Sequence, residues 1–217
     1  MKTNILLATL ITVTILGCAS SAPIQSADMV ANADPYEVGV VGASFSTFTG
    51  FNKKLGTFIL SFAPRTNQVI IDTKNQGNET HIYLDRANRD ALIVAMTSYF
   101  KEFENRTLKE KGKTLNEYGK IIGFMEWGLL TMNARGNPEI RLGYEFKEGS
   151  PFFTLTFPET DNILYNKGSA VKNSGYFQMF FTRSQLEEFG EMLLQDYLVS
   201  TLEEQDISRA SSDPDVY

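Results

Sequence analysis

Two residue types that support covalent or acid–base chemistry occur once each in this 217-residue chain, as Cys18 and His81. A Ser–His or Cys–His catalyst needs a nucleophile, a base and a group that orients the base, so a lone histidine is insufficient. Zinc sites need clusters of Cys and His, and these two residues are far apart in the sequence. We interpret His81 as a partly exposed strand residue, and we predict a non-enzyme without catalytic residues, metal or cofactor.

Carboxylates are plentiful, but their spacing indicates solvation rather than chemistry. Glu187, Glu188 and Glu191 fall on the polar side of a predicted helix. A calcium loop or a glycosidase pair requires carboxyl oxygens that converge on one point, and no Asp-x-Asp-x-Asp-Gly loop occurs. The net charge of −6 repels phosphate backbones, so a nucleic-acid partner is not expected.

The chemistry of Cys18 follows from the segment that precedes it. An uncharged run of 12 residues, Ile5 to Leu16, follows Lys2. A membrane-spanning helix needs about 20 apolar residues, whereas this length is typical of a secretory signal. Ile15-Leu16-Gly17-Cys18 then resembles the bacterial lipobox. The resemblance implies diacylglycerol on the Cys18 sulfur, signal cleavage after Gly17, and acylation of the new amino group.

An ordinary signal peptide cleaved among the small residues 19–22 is the alternative. It would leave an unpaired thiol in an oxidising compartment, which lipidation avoids. Residues 18–36 are small and polar and read as a flexible tether. Ala19 after the cysteine resembles an outer-membrane address in Gram-negative sorting. We therefore expect an envelope protein anchored to a membrane by lipid, with an envelope protein as its partner.

The elements that must support this body occur twice, at an offset of 97 residues. Ile82 matches Met179, Arg86 matches Arg183, and each segment reads as a strand that runs directly into a helix. Asp85 and Thr182 are the predicted helix caps. Each predicted helix carries an apolar stripe at helical spacing, formed by Leu92, Ala95, Met96, Tyr99 and Phe103 in the first and by Leu186, Phe189, Leu193 and Tyr197 in the second. Three further strands are expected before each pair, at 42–51, 56–64 and 68–74, and at 120–132, 138–147 and 151–158.

We predict an α+β fold of two similar ββββα units, with antiparallel sheets that each carry a C-terminal helix. The expected divisions are a signal peptide (1–17), a lipidated flexible tether (18–36), a first unit (37–108), a linker (109–119), a second unit (120–203) and a disordered acidic tail (204–217). The element order over 42–203 resembles the Whirly, PUR and PC4-like single-strand binders, although their sequence motifs are absent. That resemblance implies a duplicated fold and does not by itself imply a function.

Aromatic side chains are the positive indication of a binding surface. Four of them fall on strand faces opposite the helix-packed faces, and Trp127 is placed with them; the four are Tyr83, Phe152, Tyr176 and Phe180. Such a face could dock a partner, or the other half of the chain could cover it. We therefore hypothesise a non-catalytic structural or protein-binding role. The alternative is a ligand-binding module for glycan, lipid or oligonucleotide that uses the aromatic sheet face.

Overall fold

The computed structural model describes residues 28–47, 50–75, 78–110, 116–128 and 134–212. The predicted signal peptide, Gly17, Cys18 and residues 213–217 lie outside these ranges. Within them lie ten strands and three helices: β1 (Tyr36–Thr47), β2 (Gly50–Ala63), β3 (Gln68–Asn75), β4 (Asn78–Leu84), α1 (Arg86–Glu104), β5 (Asn116–Ile122), β6 (Phe124–Gly128), β7 (Ala134–Gly136), β8 (Glu139–Lys147), β9 (Ser150–Phe157), β10 (Phe177–Phe181), α2 (Arg183–Leu193) and α3 (Gln195–Ser212).

All ten strands form one antiparallel sheet in the order β5-β8-β9-β10-β1-β2-β3-β4-β6-β7. The prediction of an α+β fold is confirmed, but the prediction of separate sheets is wrong. β10 pairs with β1, with Met179 opposite Phe45. The reason is that two separate sheets would leave β1 and β10 as edges with unpaired backbone groups, and pairing them satisfies both.

The sheet curls until its two ends are neighbours. β5 and β6 lie at or near opposite ends of the strand order, yet only Gly123 separates them in the chain. The predicted strand 120–132 is therefore two strands, since β5 pairs with β8 and β6 pairs with β4. α1 contacts β4, β5 and β8, which places both ends of the sheet around one helix. The helix-packed face is consequently the inner face of the curl.

The inner face holds the core. Phe58, Leu60 and Phe62 alternate along β2 and are buried, and Phe58 meets Phe181 and Phe189 edge-on at 5.9 and 5.5 Å. Each such side chain contributes about 1.5–3 kcal/mol when fully buried. The predicted apolar stripes of α1 and α2 face this core.

Both predicted helix caps are confirmed. The Asp85 side chain accepts from the Asn88 amide at 2.8 Å. Thr182 and Gln185 form a reciprocal capping box, in which each side chain accepts from the other residue's backbone N–H. These bonds satisfy amides that the first helical turn leaves without partners, which explains why each helix starts directly after its strand.

The two ends of the body differ from the predicted divisions. α3 continues to Ser212, so residues 204–212 are helical rather than a disordered tail. The buried side chains of Leu198 and Leu202 hold the first turns of this helix on the core. β5 begins at Asn116, inside the predicted linker. No helix in the described ranges has the length and apolar character needed to cross a membrane.

The last part of the predicted tether is docked on the body. The Val30 amide donates to the Pro64 carbonyl at 2.9 Å. The Arg65 side chain donates to Asn32 at 2.8 Å and forms an ion pair with Asp34 at 2.6 Å. Residues 28–35 therefore lie against the turn between β2 and β3, which we call the docked end of the sheet.

Candidate binding cleft

The strands β2 and β3 pair along only part of their length. Their five residue pairs extend from the turn to Ile59 opposite Asp72. Both strands continue beyond that point, but there they do not pair with each other. The β1–β2 and β3–β4 hairpins remain paired to their tips. The two hairpins thus diverge, and a cleft of about 630 Å³ lies between them. We call this the cleft end of the sheet.

One wall of the cleft is apolar and the other is ionisable. The first comes from β1 and β2, and the second from β3 and β4. The lining residues are Phe45, Leu55, Gly56, Thr57 and Ile59 on the first wall, and Asp72, Thr73, Lys74, Glu79 and His81 on the second. Leu55 is 61% exposed and Ile59 is 41% exposed. Position 56 requires glycine, because a Cβ there would lie 2.6 Å from the Phe45 ring.

The ionisable wall consists of two side-chain pairs. His81 Nδ1 contacts Asp72 Oδ1, and Lys74 Nζ lies 2.8 Å from Glu79 Oε1. The hydrogen bond and the charge of Lys74 hold the pKa of Glu79 below its ordinary value, and the same pairing raises the pKa of Lys74. Across the described ranges, no three His, Cys, Asp or Glu side chains are grouped to hold a metal ion.

His81 is placed as the sequence predicted. It is about one-third exposed and lies on the outer face, alternating with the buried Ile82 and Leu84. Ser61 Oγ donates to Asp72 Oδ2 at 3.5 Å, on the carboxylate rather than on the imidazole. A serine hydrolase needs its nucleophile on the histidine. This trio therefore does not form that arrangement.

Thr73 is the unusual residue of the cleft. It is 5% exposed, and its Oγ1 has no hydrogen-bond partner among the described residues. Buried hydroxyls in proteins are almost always hydrogen-bonded, and leaving one unsatisfied costs about 1–3 kcal/mol. The sequence analysis did not single out this residue, because a threonine in a strand carries no signal of its missing partner.

The five predicted aromatic residues do not form one surface. Phe152 and Phe180 meet edge-on at 6.3 Å, and Phe180 is fully buried. Tyr176 is 38% exposed and donates to Gln178 at 3.1 Å, and burial raises the pKa of Tyr176. These three belong to the β9–β10 region. The prediction of one shared aromatic face is wrong, because Tyr83 and Trp127 lie in other parts of the fold.

Tyr83 and Trp127 lie elsewhere in the fold. Tyr83 packs on Phe124 at 5.4 Å and is separated from Phe180 by β1, β2 and β3. Its hydroxyl donates to Glu126 at 3.0 Å, and burial together with Glu126 raises the pKa of Tyr83. Trp127 shares the inner face with Met125 and is 5% exposed, so it is part of the core. Its register opposite Thr80 decides this placement.

Comparison with known proteins gives a family for this fold. A family model described as "Uncharacterised Treponema protein" matches residues 35–200. The chain belongs to this Treponema family. An "Uncharacterized protein" of Treponema pallidum (strain Nichols) is 30% identical over 144 residues, which are 64% of this chain and 50% of that protein. The chain thus spans about half the length of that relative. No solved structure matches.

The matched region of this Treponema family begins one residue before β1 and ends within α3, so it contains the whole cleft. It also contains Arg89, which the sequence analysis missed. This side chain is 1% exposed and lies at the docked end, at the opposite end of β2 and β3 from the cleft. Arg89 lies three residues before Leu92, on the apolar stripe of α1. This spacing could have indicated that the Arg89 side chain is buried.

Arg89 joins three elements through neutral oxygens. Its Nη1 donates to the Leu193 carbonyl at 3.0 Å, and its Nη2 donates to Asn67 Oδ1 at 2.8 Å and Gln195 Oε1 at 2.9 Å. The Leu193 carbonyl belongs to the end of α2, the negative end of that helix dipole. Burial lowers the pKa of Arg89, and its Nε has no partner in the described part of the chain. The residue clamps α1, the β2–β3 turn and the α2–α3 junction.

Proposed function

We propose that this chain is a lipid-anchored, non-catalytic protein of the cell envelope that binds a protein partner in the cleft. The observation that carries this proposal is the position of the cleft, at the end of the sheet opposite the docked tether. β1 runs nine residues from Tyr36 at the docked end to Phe45 in the cleft wall. At about 3.3 Å per residue this separation is about 30 Å.

The lipobox supplies the other half of the proposal. Acylation of Cys18 would add several chains, and two or more chains hold a protein firmly on a membrane. Nine residues lie between Cys18 and Asp28, so this part of the chain spans at most about 35 Å. A body held from its docked end presents the cleft away from the membrane surface. Ala19 supports the outer membrane as the location.

The surface chemistry of the cleft favours a macromolecular partner. Leu55 and Ile59 are exposed, and Val40, which pairs with Ile59, is 46% exposed. Contiguous exposed apolar residues rimmed by charges are typical of protein–protein contact sites. In the ionisable wall, Lys74 pairs with Glu79 and His81 contacts Asp72, so these side chains are engaged with one another and shape and apolar contact are the main basis of recognition.

We also propose that the body is built from two similar ββββα units. The strand order supports this, because β1-β2-β3-β4 and β5-β8-β9-β10 are each contiguous in the sheet. α1 follows β4 and α2 follows β10 with one intervening residue, at Asp85 and Thr182. The β6–β7 hairpin is the addition that has no counterpart in the first unit.

The anchor is tested by Cys18→Ala. We expect the lipid label to be lost and the protein to leave the membrane fraction, whereas a variant at the neighbouring Ser20 keeps both. Retention of the label by Cys18→Ala would contradict the anchor.

The cleft is tested by a photo-crosslinking residue at position 57, introduced in cells that express the whole chain. The Leu55→Glu variant should lose the crosslinked product while keeping its unfolding midpoint. The matched control is Val94→Glu, which changes an exposed residue (66%) on α1. Equal crosslinking in both variants would place the partner somewhere other than the cleft.

A further inference from the structure

The walls of the cleft are two half-paired strands. Residues 55–58 of β2 pair with β1 but not with β3, and residues 73–75 of β3 pair with β4 but not with β2. In an antiparallel sheet, every second residue directs its N–H and C=O to each side. Both strands therefore present backbone donors and acceptors to the cleft. Natural proteins rarely leave such edges open, because they template pairing with another chain.

The volume of the cleft corresponds to a short strand. Four residues of a strand occupy about 13 Å along the chain, about 5 Å between neighbouring strands and about 10 Å through the sheet, roughly 650 Å³ in all. The cleft measures about 630 Å³. Thr73 lines the cleft, and its buried Oγ1 has no hydrogen-bond partner among the described residues.

We infer that the cleft binds an extended peptide segment of the partner, which adds to the sheet as a strand against the open edges of β2 and β3. This inference rests on the proposed function for the claim that a partner uses the cleft. A polypeptide backbone is the ligand that offers donors and acceptors at strand spacing on both of its sides. Its alternate side chains would meet Leu55 and Ile59 on the outer face and Thr73 on the inner face.

The first experiment uses a random heptapeptide display library selected against the detergent-solubilised, lipidated protein. Each selected peptide is then made with one N-methyl group at each position in turn. Because alternate N–H groups of the inserted strand face β2 and β3, loss of a backbone hydrogen bond should weaken binding about tenfold at each of about four consecutive positions, with little change at the flanking positions. The inference is overturned if no peptide binds, or if no run of consecutive positions is sensitive to N-methylation.

The second experiment locates the bound peptide by hydrogen exchange. Amides among residues 55–58 and 73–75 should gain protection when the peptide is added, whereas the amides of β8 should not change. Protection confined to the β9–β10 region would instead indicate the Phe152–Phe180 site and overturn the inference.

The third experiment tests whether the Thr73 hydroxyl contributes to peptide binding independently of the stability of the fold. Thr73→Val keeps the side-chain shape and should weaken peptide binding about five- to tenfold without lowering the unfolding midpoint. Thr80→Val is the matched control, since Thr80 pairs with Thr73 in register and lies outside the cleft lining. Equal affinities for the Thr73→Val variant and the unmodified protein would remove Thr73 from the site.

The outcomes distinguish this inference from the proposed function. If Leu55→Glu abolishes crosslinking in cells but no extended peptide binds, the inference fails and the proposed function stands. If peptides bind along the strand edges but Leu55→Glu leaves the cellular crosslink unchanged, the partner role of the cleft fails.

Discussion

The docked end and the cleft end of the sheet are built on the same two strands, β2 and β3, and have opposite properties. At the docked end the strands are fully paired and closed by a turn, and residues 28–35 cover that turn. Most polar atoms buried there have partners: the Tyr36 hydroxyl donates to the Leu198 carbonyl at 2.6 Å, and both Nη atoms of Arg89 donate to neutral oxygens, although its Nε has no partner among the described residues. At the cleft end the strands diverge and Thr73 Oγ1 has no partner among the described residues.

This difference separates a well-paired end of the sheet from the end at which we propose that a partner binds. Open strand edges and an unsatisfied hydroxyl destabilise the free protein, and a ligand that supplies the missing partners removes that cost. Natural proteins tolerate such local costs at functional sites when the rest of the structure is stable enough. The docked end provides that stability here. Removal of a hydroxyl should therefore lower the free energy of unfolding at the docked end and raise it at the cleft end.

The largest effect is expected at the docked end, for Arg89→Met. The change leaves the Leu193, Asn67 and Gln195 oxygens without their charged donor, and we expect a loss of about 3 kcal/mol in the free energy of unfolding. Urea unfolding followed by circular dichroism measures it. Arg86→Met is the control on the same helix, since its side chain is 55% exposed and its Asp90 contact is 4.0 Å long. A similar loss in both variants would mean that the clamp is not specific.

Tyr36→Phe should lower the free energy of unfolding by about 1.5 kcal/mol, because it removes the donor to the Leu198 carbonyl and keeps the ring that packs on Phe62 at 5.9 Å. The same urea titration provides the value, and proteolysis within α3 should become faster. If neither the free energy of unfolding nor the proteolysis rate changes, the Tyr36–Leu198 hydrogen bond does not stabilise the docked end.

Thr73→Val should have the opposite sign. Removal of a buried hydroxyl that lacks a partner is expected to raise the free energy of unfolding by about 1 kcal/mol, which corresponds to a melting temperature higher by roughly 2–4 °C in a chain of this size. Calorimetry of the free protein measures it. A fall in melting temperature would show that the hydroxyl is satisfied in the free protein, and the comparison between the two ends would not hold.

The smallest effect is expected for the exposed pair at the tip of the β3–β4 hairpin. Lys74 holds the pKa of Glu79 below 4.5, so the pair stabilises the hairpin above that pH and the contribution disappears as the pH falls through the lowered pKa. The difference in hydrogen exchange between Glu79→Gln and the unmodified protein should therefore be present at pH 7 and should shrink as the pH falls below 4.5. A difference that grows on acidification would contradict this pairing.

Local features of the sequence predicted local structure well. Asp85 and Thr182 were recognised as caps because their bonds lie within three residues, and the α1 and α2 stripes were recognised because burial follows the helical period. His81 was placed on the outer face by strand alternation alone. The arrangement of the five aromatic residues was not predictable in the same way, since Trp127 is directed inward by pairing with β4 and β7 and not by its own neighbours in the chain.

The α+β class of the protein and the starts of its two main helices were determined by the sequence itself, because each depends on residues within about one helical turn or one strand of each other. Tertiary structure alone decided that β10 joins β1, that the chain changes its pairing partner from β8 to β4 at Gly123, and that β2 and β3 part beyond Ile59 and Asp72. These features depend on which backbone edges meet after folding, and hydrogen bonds between distant strands leave no period in the sequence. The cleft is one of these features, since it lies where β2 and β3 stop pairing with each other.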